Sequence, residues 1–236
     1  MTGTGLVPVL LEDEHLLAVD KPAGRLVIPG RNGDELSLVD ELRAIHGRLW
    51  VVHRLDRGTT GVLLFARSAE AHRALNLAFD RGEPRKRYLA LVWGTPPPRF
   101  RVELALAKAR RGLMRAARAG DPRGKPSATS FERVETFPPR PWAGREMALL
   151  EAFPETGRTH QIRVHLAHAG HPLVVDPDYG FAGPLLGPEG RRLLVRTPLH
   201  AERLELFHPA SGVRLTLLAP LPADIAGAVA ALRAET

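Results

Sequence analysis

Apolar positions along this chain come mostly in short, near-continuous runs bounded by Gly, Pro and charged residues. That pattern predicts strands. They are expected over residues 6–11 and 15–19, closed by the Lys21-Pro22-Ala23-Gly24 turn, and over 49–52 and 62–66. Others are expected over 87–93, stopped by Gly94, and over 101–107, 127–136 and 146–153. A last pair, 203–207 and 213–218, forms a hairpin around Ser211-Gly212. Elsewhere the spacing is helical. Ser37 is placed to cap a helix through Ile45, ended by Gly47. Ser68 is placed to cap another, with Ala71, Leu75 and Phe79 on one face and Gly82 at its end. Thr159 opens a third that runs to Ala169, with Gly170 just beyond, and a final helix covers 222–234. Strands outnumber helices and do not alternate with them, so the expected class is α+β, a mixed and mainly antiparallel sheet with flanking helices. Residues 110–125 are basic, hold three glycines and show weak periodicity. They read either as a mobile loop able to close on a ligand or as a disordered hairpin tip.

Composition narrows the setting. The 236 residues suffice for a sizeable core and are expected to form a single domain over 1–236. Cysteine is absent, which excludes disulfides and thiolate metal sites. No apolar run approaches the ~20 residues of a membrane span, and no signal peptide is visible, so a cytoplasmic protein is expected. The net charge of +7 points to a polyanionic partner. A compositional bias is the alternative: lysine is confined to Lys21, Lys86, Lys108 and Lys125, as either thermophily or a GC-rich genome would favour. Clustering favours the partner. Arg85-Lys86-Arg87 forms one basic segment, and Lys108-Ala109-Arg110-Arg111 with Arg115 and Arg118 a second.

The candidate chemistry begins at His53-Arg54-Leu55-Asp56-Arg57-Gly58-Thr59-Thr60-Gly61. A carboxylate stands between two arginines in a Gly-bounded turn between strands, which displays Asp56 instead of burying it. Neighbouring cations favour its ionised form, and the same arginines attract phosphate. Read alone, the segment is equally an ordinary turn with a solvated ion pair. The second segment, Arg85 to Gly94, puts Tyr88, Ala90 and Val92 on one strand face. There Tyr88 is either a base-stacking residue or a tyrosine at the edge of the core. The third is Glu155-Thr156-Gly157-Arg158-Thr159-His160-Gln161-Ile162-Arg163-Val164-His165-Leu166. Its histidines, with His168 and His171, suggest a metal site. No HExxH pattern supports one, and the next carboxylates, Asp176 and Asp178, lie beyond a Pro-containing turn. No metal is expected. Arg158 and Arg163, near a helix N-terminus, suit an anion, either a phosphate or a catalytic carboxylate.

In order, HRLDRGTTG, KRYLALVWG, GRTHQIRVHLAHAGHPLVVDPDYG and LHAERLELFHP resemble the RluA family of RNA pseudouridine synthases. The entry segment Glu12 to Gly24 and Gly124-Lys125-Pro126 before the strand at Thr129 are similar too, so the likeness runs from about residue 9 to 219. Each motif alone is weak; their order is specific. The resemblance implies a pseudouridine synthase catalytic fold with a cleft across the sheet. It makes Asp56 the catalytic aspartate and has Arg54 fill the space left by the flipped base. Tyr88 would stack on the uracil and take part in proton transfer, and Arg163 would pair with Asp56 and hold it ionised and aimed, so that Asp56, Tyr88 and Arg163 form the implied catalytic set. His53, Arg57, Thr60, Arg158, His160 and Gln161 fall with Arg54 among the implied RNA-contacting residues. No cofactor is implied. The implied partner is a uridine-containing stem-loop of ribosomal or transfer RNA, bound by a monomer. The chain departs from the family's usual Asp-Thr-Ser-Gly at Gly58-Thr59-Thr60-Gly61, where Thr60 keeps the hydroxyl and Gly58 loosens the turn. It carries Val175-Asp176-Pro177 for the usual Gly-Asp-Pro. No S4-type RNA-binding module is expected before the catalytic region.

Pseudouridine formation breaks N1–C1′ and rejoins the uracil through C5, with no redox change and no net hydrolysis, so one carboxylate suffices. Attack at C1′ and abstraction of a sugar proton are both open to Asp56. Two other classes compete. A glycosidic hydrolase would need a second carboxylate as acid or base, and no acidic motif matches the prominence of Asp56. A non-catalytic RNA-binding protein would lose nothing on removal of Asp56.

Overall fold

A computed structural model describes residues 7–30 and 36–234, apart from the side chain of Arg111. Leu6, part of the first expected strand, lies outside the described residues. The chain divides into two compact units, one formed by residues 1–86 with 201–220, the other by 87–200 with 221–236. The class is α+β, with a mainly antiparallel mixed sheet and four helices among the described residues. None of these helices is long and apolar enough to cross a membrane.

In the first unit, β1 (Val9–Glu12), β2 (Leu16–Lys21) and β4 (Thr60–Ala66) run antiparallel in that order, and β3 (Trp50–Val51) also pairs with β4. All seven residues of β4 are buried, as its unbroken apolar run requires. α1 (Leu38–His46) and α2 (Ala69–Asp80) were both legible from their apolar spacing. Ser68 Oγ accepts the Ala71 N–H at 3.1 Å and caps α2 as expected. Ser37 stands at the α1 cap position, but its hydroxyl donates to Asp40 instead, at 2.6 Å. Later in the chain, β13 (Leu199–Phe207) and β14 (Arg214–Leu218) form the anticipated hairpin, with β13 starting four residues earlier than expected. Leu16, Ala18, Leu64, Leu75, Leu204 and Leu217 meet in the core of this unit.

The second unit is built on the strand order β5 (Arg85–Trp93), β10 (Met147–Pro154), β9 (Ala128–Phe137), β6 (Arg99–Glu103). Its two faces carry two cores. One gathers Ala90, Val92, Leu150, Phe131, Ile162 and Leu166 under α3 (Gln161–His168), with Tyr88 at its margin. The other gathers Leu91, Leu149, Val174, Ile225, Val229 and Leu232 under α4 (Ala223–Ala234). The alternation read for Tyr88, Ala90 and Val92 is therefore real.

Three expectations need correction. The strand foreseen over 101–107 is two strands: β6 pairs with β9, and β7 (Leu106–Lys108) turns away to pair with β8 (Met114–Ala116). The switch falls at Leu104-Ala105, where the ladder gives way to bonds with Ser127, Lys125 and Ala117. Residues 110–125 accordingly include a strand, β8, that completes an antiparallel ribbon, while 117–125 run as turns and loop. A partner only three residues long leaves too little periodicity to read. Finally, α3 starts two residues later than expected, because His160 sits in left-handed backbone (φ 54°, ψ 18°) and cannot be helical. A short pair, β11 (Leu185–Leu186) and β12 (Arg192–Leu194), had no counterpart in the reading of the sequence.

Candidate active site

In the first unit, Asp56 is half-buried on the turn that leads into β4, closed by Thr59 N–H donating to Asp56 O at 3.1 Å. Main-chain groups hold this turn from behind. Gly24 N–H donates to Arg57 O at 2.8 Å, and Arg57 Nε returns a bond to Gly24 O at 3.0 Å. Lys21 ends β2 with 0% exposure, and its ammonium donates to the carbonyls of Pro22 (3.0 Å), Arg57 (3.2 Å) and Thr59 (2.8 Å). A buried cation ringed by carbonyls is how a protein meets the cost of taking charge out of water. The effect here is to fix the path of residues 57–59 immediately after Asp56. Gly61 (φ 111°) lies against the Ala201 carbonyl, where a Cβ would overlap main chain.

The flanking residues divide by exposure. Arg54 and Arg57 are exposed, whereas Thr60 is buried at the start of β4. His53 Nε2 accepts the Leu64 N–H at 3.0 Å, and its ring stacks on Phe79 with centroids 5.1 Å apart. Burial, and behind it the charge of Lys86, pushes the His53 pKa down to about 3. Lys86 itself is pushed down to about 8 by burial.

In the second unit, Tyr88 is partly buried on β5 opposite Ala152, and its neighbour Arg87 is paired with Glu151 at 2.9 Å. Arg163 sits on α3 with 6% exposure. Its Nε and Nη2 grip the two oxygens of Asp176 at 2.8 and 2.6 Å, and Nη2 also reaches Asp178 at 2.7 Å. The guanidinium carbon lies 4.9 Å from the Tyr179 ring centroid. A bidentate fork together with a stacked face fixes the plane of the arginine as well as its charge. Asp176 is fixed in turn by accepting the N–H groups of Asp178 (3.1 Å) and Tyr179 (3.2 Å).

The rest of the motif packs inward. Gln161 is buried; its Oε1 accepts from Thr156 Oγ1 (2.6 Å) and Arg158 N–H (3.0 Å), and its Nε2 donates to Ala128 O and Thr129 Oγ1, both at 3.0 Å. Its amide is thus fully occupied in tying residues 156–158 to β9. Arg158 is exposed, with Nε toward Pro126 O at 3.4 Å. His165, with 0% exposure, lies 2.9 Å from both Ser127 Oγ and Thr129 Oγ1. Ser127 donates to Leu104 O at 2.5 Å, so it accepts from His165 Nε2–H, and Nδ1 is left to accept from Thr129. Burial pushes the His165 pKa down to about 4. His160 Nδ1 lies 2.7 Å from Tyr179 Oη, and His171 Nδ1 3.2 Å from Trp93 O. The four histidines that first suggested a metal are therefore not gathered into one site. Among the described residues, no group of three or more His, Cys, Asp or Glu is arranged to hold a metal ion.

The reading of the sequence missed two groups at this site. Lys21 had a signal: a lysine closing the apolar run Leu16 to Val19 is better placed for burial than for solvent. Tyr179 had its scarcity, as one of two tyrosines in the chain, and its place at the end of the third motif, Asp176-Pro177-Asp178-Tyr179-Gly180.

The family model described as RNA pseudouridylate synthase matches residues 15–168. A protein of Nitrosomonas europaea named ribosomal large subunit pseudouridine synthase D is 39% identical over 235 residues, covering 95% of this chain and 65% of that protein. The dual-specificity RNA pseudouridine synthase RluA of Escherichia coli K12 is 36% identical over 214 residues, covering 90% of this chain and 92% of its own. The solved structure of human RNA pseudouridylate synthase domain containing 1 superposes with a TM-score of 0.72 at 27% identity, over 97% of this chain and 95% of that one.

Proposed function

Since the chain belongs to the RNA pseudouridylate synthase family, we propose that it isomerises specific uridines of ribosomal or transfer RNA to pseudouridine, with Asp56 as the catalytic carboxylate. The observation that carries this reading is the turn itself: a half-buried carboxylate, within a motif that resembles the family's, on main chain fixed by a buried ammonium. A nucleophile or base gains most from being held in its reactive position before substrate arrives. The glycosidic bond N1–C1′ breaks, the uracil turns, and C5 bonds to C1′; C5 loses a proton and N1 gains one, so composition is unchanged and no cofactor is required.

The other roles follow the exposure of each group. Exposed Arg54 is suited to enter the stack when the target base leaves it. Tyr88 offers a ring face to the flipped uracil. Arg163 is assigned to Asp56 as its cationic partner, with Asp176 and Tyr179 setting its orientation. Arg57, Arg158 and His160 are assigned to the RNA backbone. Thr60, Gln161 and His53 are assigned as supports: the first two are buried, and the Nε2 of His53 is committed to Leu64. The chain is proposed to act as one catalytic domain and as a monomer in the cytoplasm.

The test is pseudouridine mapping of total RNA from a strain lacking the protein, complemented with wild type or Asp56→Asn. Wild type should restore the lost sites. Asp56→Asn should restore none, with its rate down by roughly four orders of magnitude and RNA binding kept. Release of free uracil by wild type would establish a hydrolase instead. Loss of RNA binding together with activity in Asp56→Asn would make Asp56 structural.

A further inference from the structure

The β7–β8 ribbon carries Lys108 and Arg115, and Arg118 and Arg123 follow on the turns beyond. It is tied to the rest of the second unit by an unusual bond. Met114, in β8, spends its main-chain N–H outside the ribbon and donates to Tyr179 Oη at 2.8 Å. That oxygen accepts from Met114 and lies 2.7 Å from His160 Nδ1, to which it can donate its own proton when the imidazole is protonated at Nε2. His160 stands immediately before α3 in left-handed backbone (φ 54°), a conformation that persists in a non-glycine residue only when its surroundings impose it. The ring of the same tyrosine lies under the guanidinium of Arg163. Tyr179 is anchored by its own N–H on Asp176, the carboxylate that grips Arg163. Burial raises the Tyr179 pKa above its ordinary value, so the phenol keeps the proton it donates.

One side chain therefore touches the basic ribbon with its hydroxyl and the functional arginine with its ring. We propose that Tyr179 is a positioning residue that couples the stance of the β7–β8 ribbon to Arg163, so that an RNA backbone drawn onto the ribbon also settles the arginine. The coupling rests on the proposed function, since it gives the ribbon an RNA to hold. Physically it needs little: the Met114–Tyr179 hydrogen bond, which exists only while the ribbon lies against Tyr179, and a stacked cation that follows the ring.

Two variants separate the two ends of the device. Tyr179→Phe removes the hydroxyl and keeps the ring under Arg163; Tyr179→Leu removes both. In RNA-free protein, hydrogen exchange at the Met114 amide should accelerate roughly fivefold or more in Tyr179→Phe, the value of one lost hydrogen bond. With unmodified transfer-RNA and large-subunit ribosomal-RNA transcripts, the same variant should raise KM roughly five- to tenfold while kcat stays within about twofold. Tyr179→Leu should lower kcat as well. Unchanged Met114 exchange and unchanged KM in Tyr179→Phe would overturn the coupling. So would equal kcat losses in both variants at constant KM, which would make Tyr179 a prop for Arg163 alone. A wild-type protein inactive on every transcript would overturn the proposed function, whereas an active wild type matched by Tyr179→Phe overturns only the coupling.

Discussion

The two units hold their key charged groups by different means. Asp56 stands on a turn whose path is set by main-chain groups around one buried ammonium, with Lys21 donating to three carbonyls and residues 24 and 57 exchanging two bonds. Arg163 stands on a regular helix, and its position comes from side chains: the Asp176 fork, Asp178 and the Tyr179 ring. A clamp built mostly on main-chain carbonyls, with the Lys21 ammonium and Arg57 Nε as side-chain donors, depends little on the other side chains it displays. A side-chain clamp lets neighbouring elements act on the group it holds. The acid is thereby built to stay still and the arginine to be adjusted.

Lys21→Met attacks the first arrangement at its centre and carries the largest expected effect on stability. Met fills nearly the same volume but takes this donor from the Pro22 and Thr59 carbonyls and leaves Arg57 O with the Gly24 N–H alone, at a cost of about 3–5 kcal/mol. Urea denaturation should record that loss. At temperatures where the variant is still folded, kcat should fall while RNA affinity stays, because the arginines at the surface are untouched. A variant as stable as wild type would show that the carbonyls are satisfied another way, and the contrast between the units would collapse.

Arg163→Lys tests the second arrangement and should cost less stability, about 1–3 kcal/mol, because a cation remains near Asp176 and Asp178. A lysine cannot reproduce the two-pronged fork or lie flat on Tyr179. Its charge is therefore misplaced by an ångström or so, enough to lower kcat by about a hundredfold. The comparison predicts opposite signatures. Lys21→Met loses more stability per unit of lost rate, and Arg163→Lys more rate per unit of lost stability. Near-normal turnover in Arg163→Lys would remove Arg163 from the reaction.

What could be read beforehand follows the same division. Local signals held wherever the cause was local. Ser68 caps α2, Gly82 follows it, and the alternation of Tyr88, Ala90 and Val92 marks one face of β5. Signals failed where distant partners decided the outcome. The break after Glu103 exists because β7 finds β8 instead of continuing along β9. The late start of α3 exists because His160 is drawn to Tyr179, 19 residues away. The motif order singles out Asp56 and Arg163 as candidates, but neither Lys21 as the hub of the turn nor Asp176 as the grip on Arg163 follows from periodicity. The apolar run before Lys21 signals its burial but not its partners, and which polar groups meet across the fold is not encoded in a hydrophobic pattern.

The most graded effect is on pH, and it compares the units through one histidine each. His53 in the first is pushed down to about 3 and His165 in the second to about 4, both chiefly by burial, from 6.5 in the unfolded chain. Such a group binds its proton more readily unfolded than folded. Its stabilising contribution is therefore complete above about 6.5 and drains away as the pH falls toward the folded value. Each group contributes a slope of about 1.4 kcal/mol per pH unit. Between pH 6.5 and about 5, before most carboxylates titrate, both units should weaken together. Imidazole titration by NMR in the folded protein, set beside urea midpoints across this range, measures both quantities. If either ring titrates near 6.5 in the folded protein, its bonds to Leu64 N–H, or to Ser127 and Thr129, do not hold it neutral.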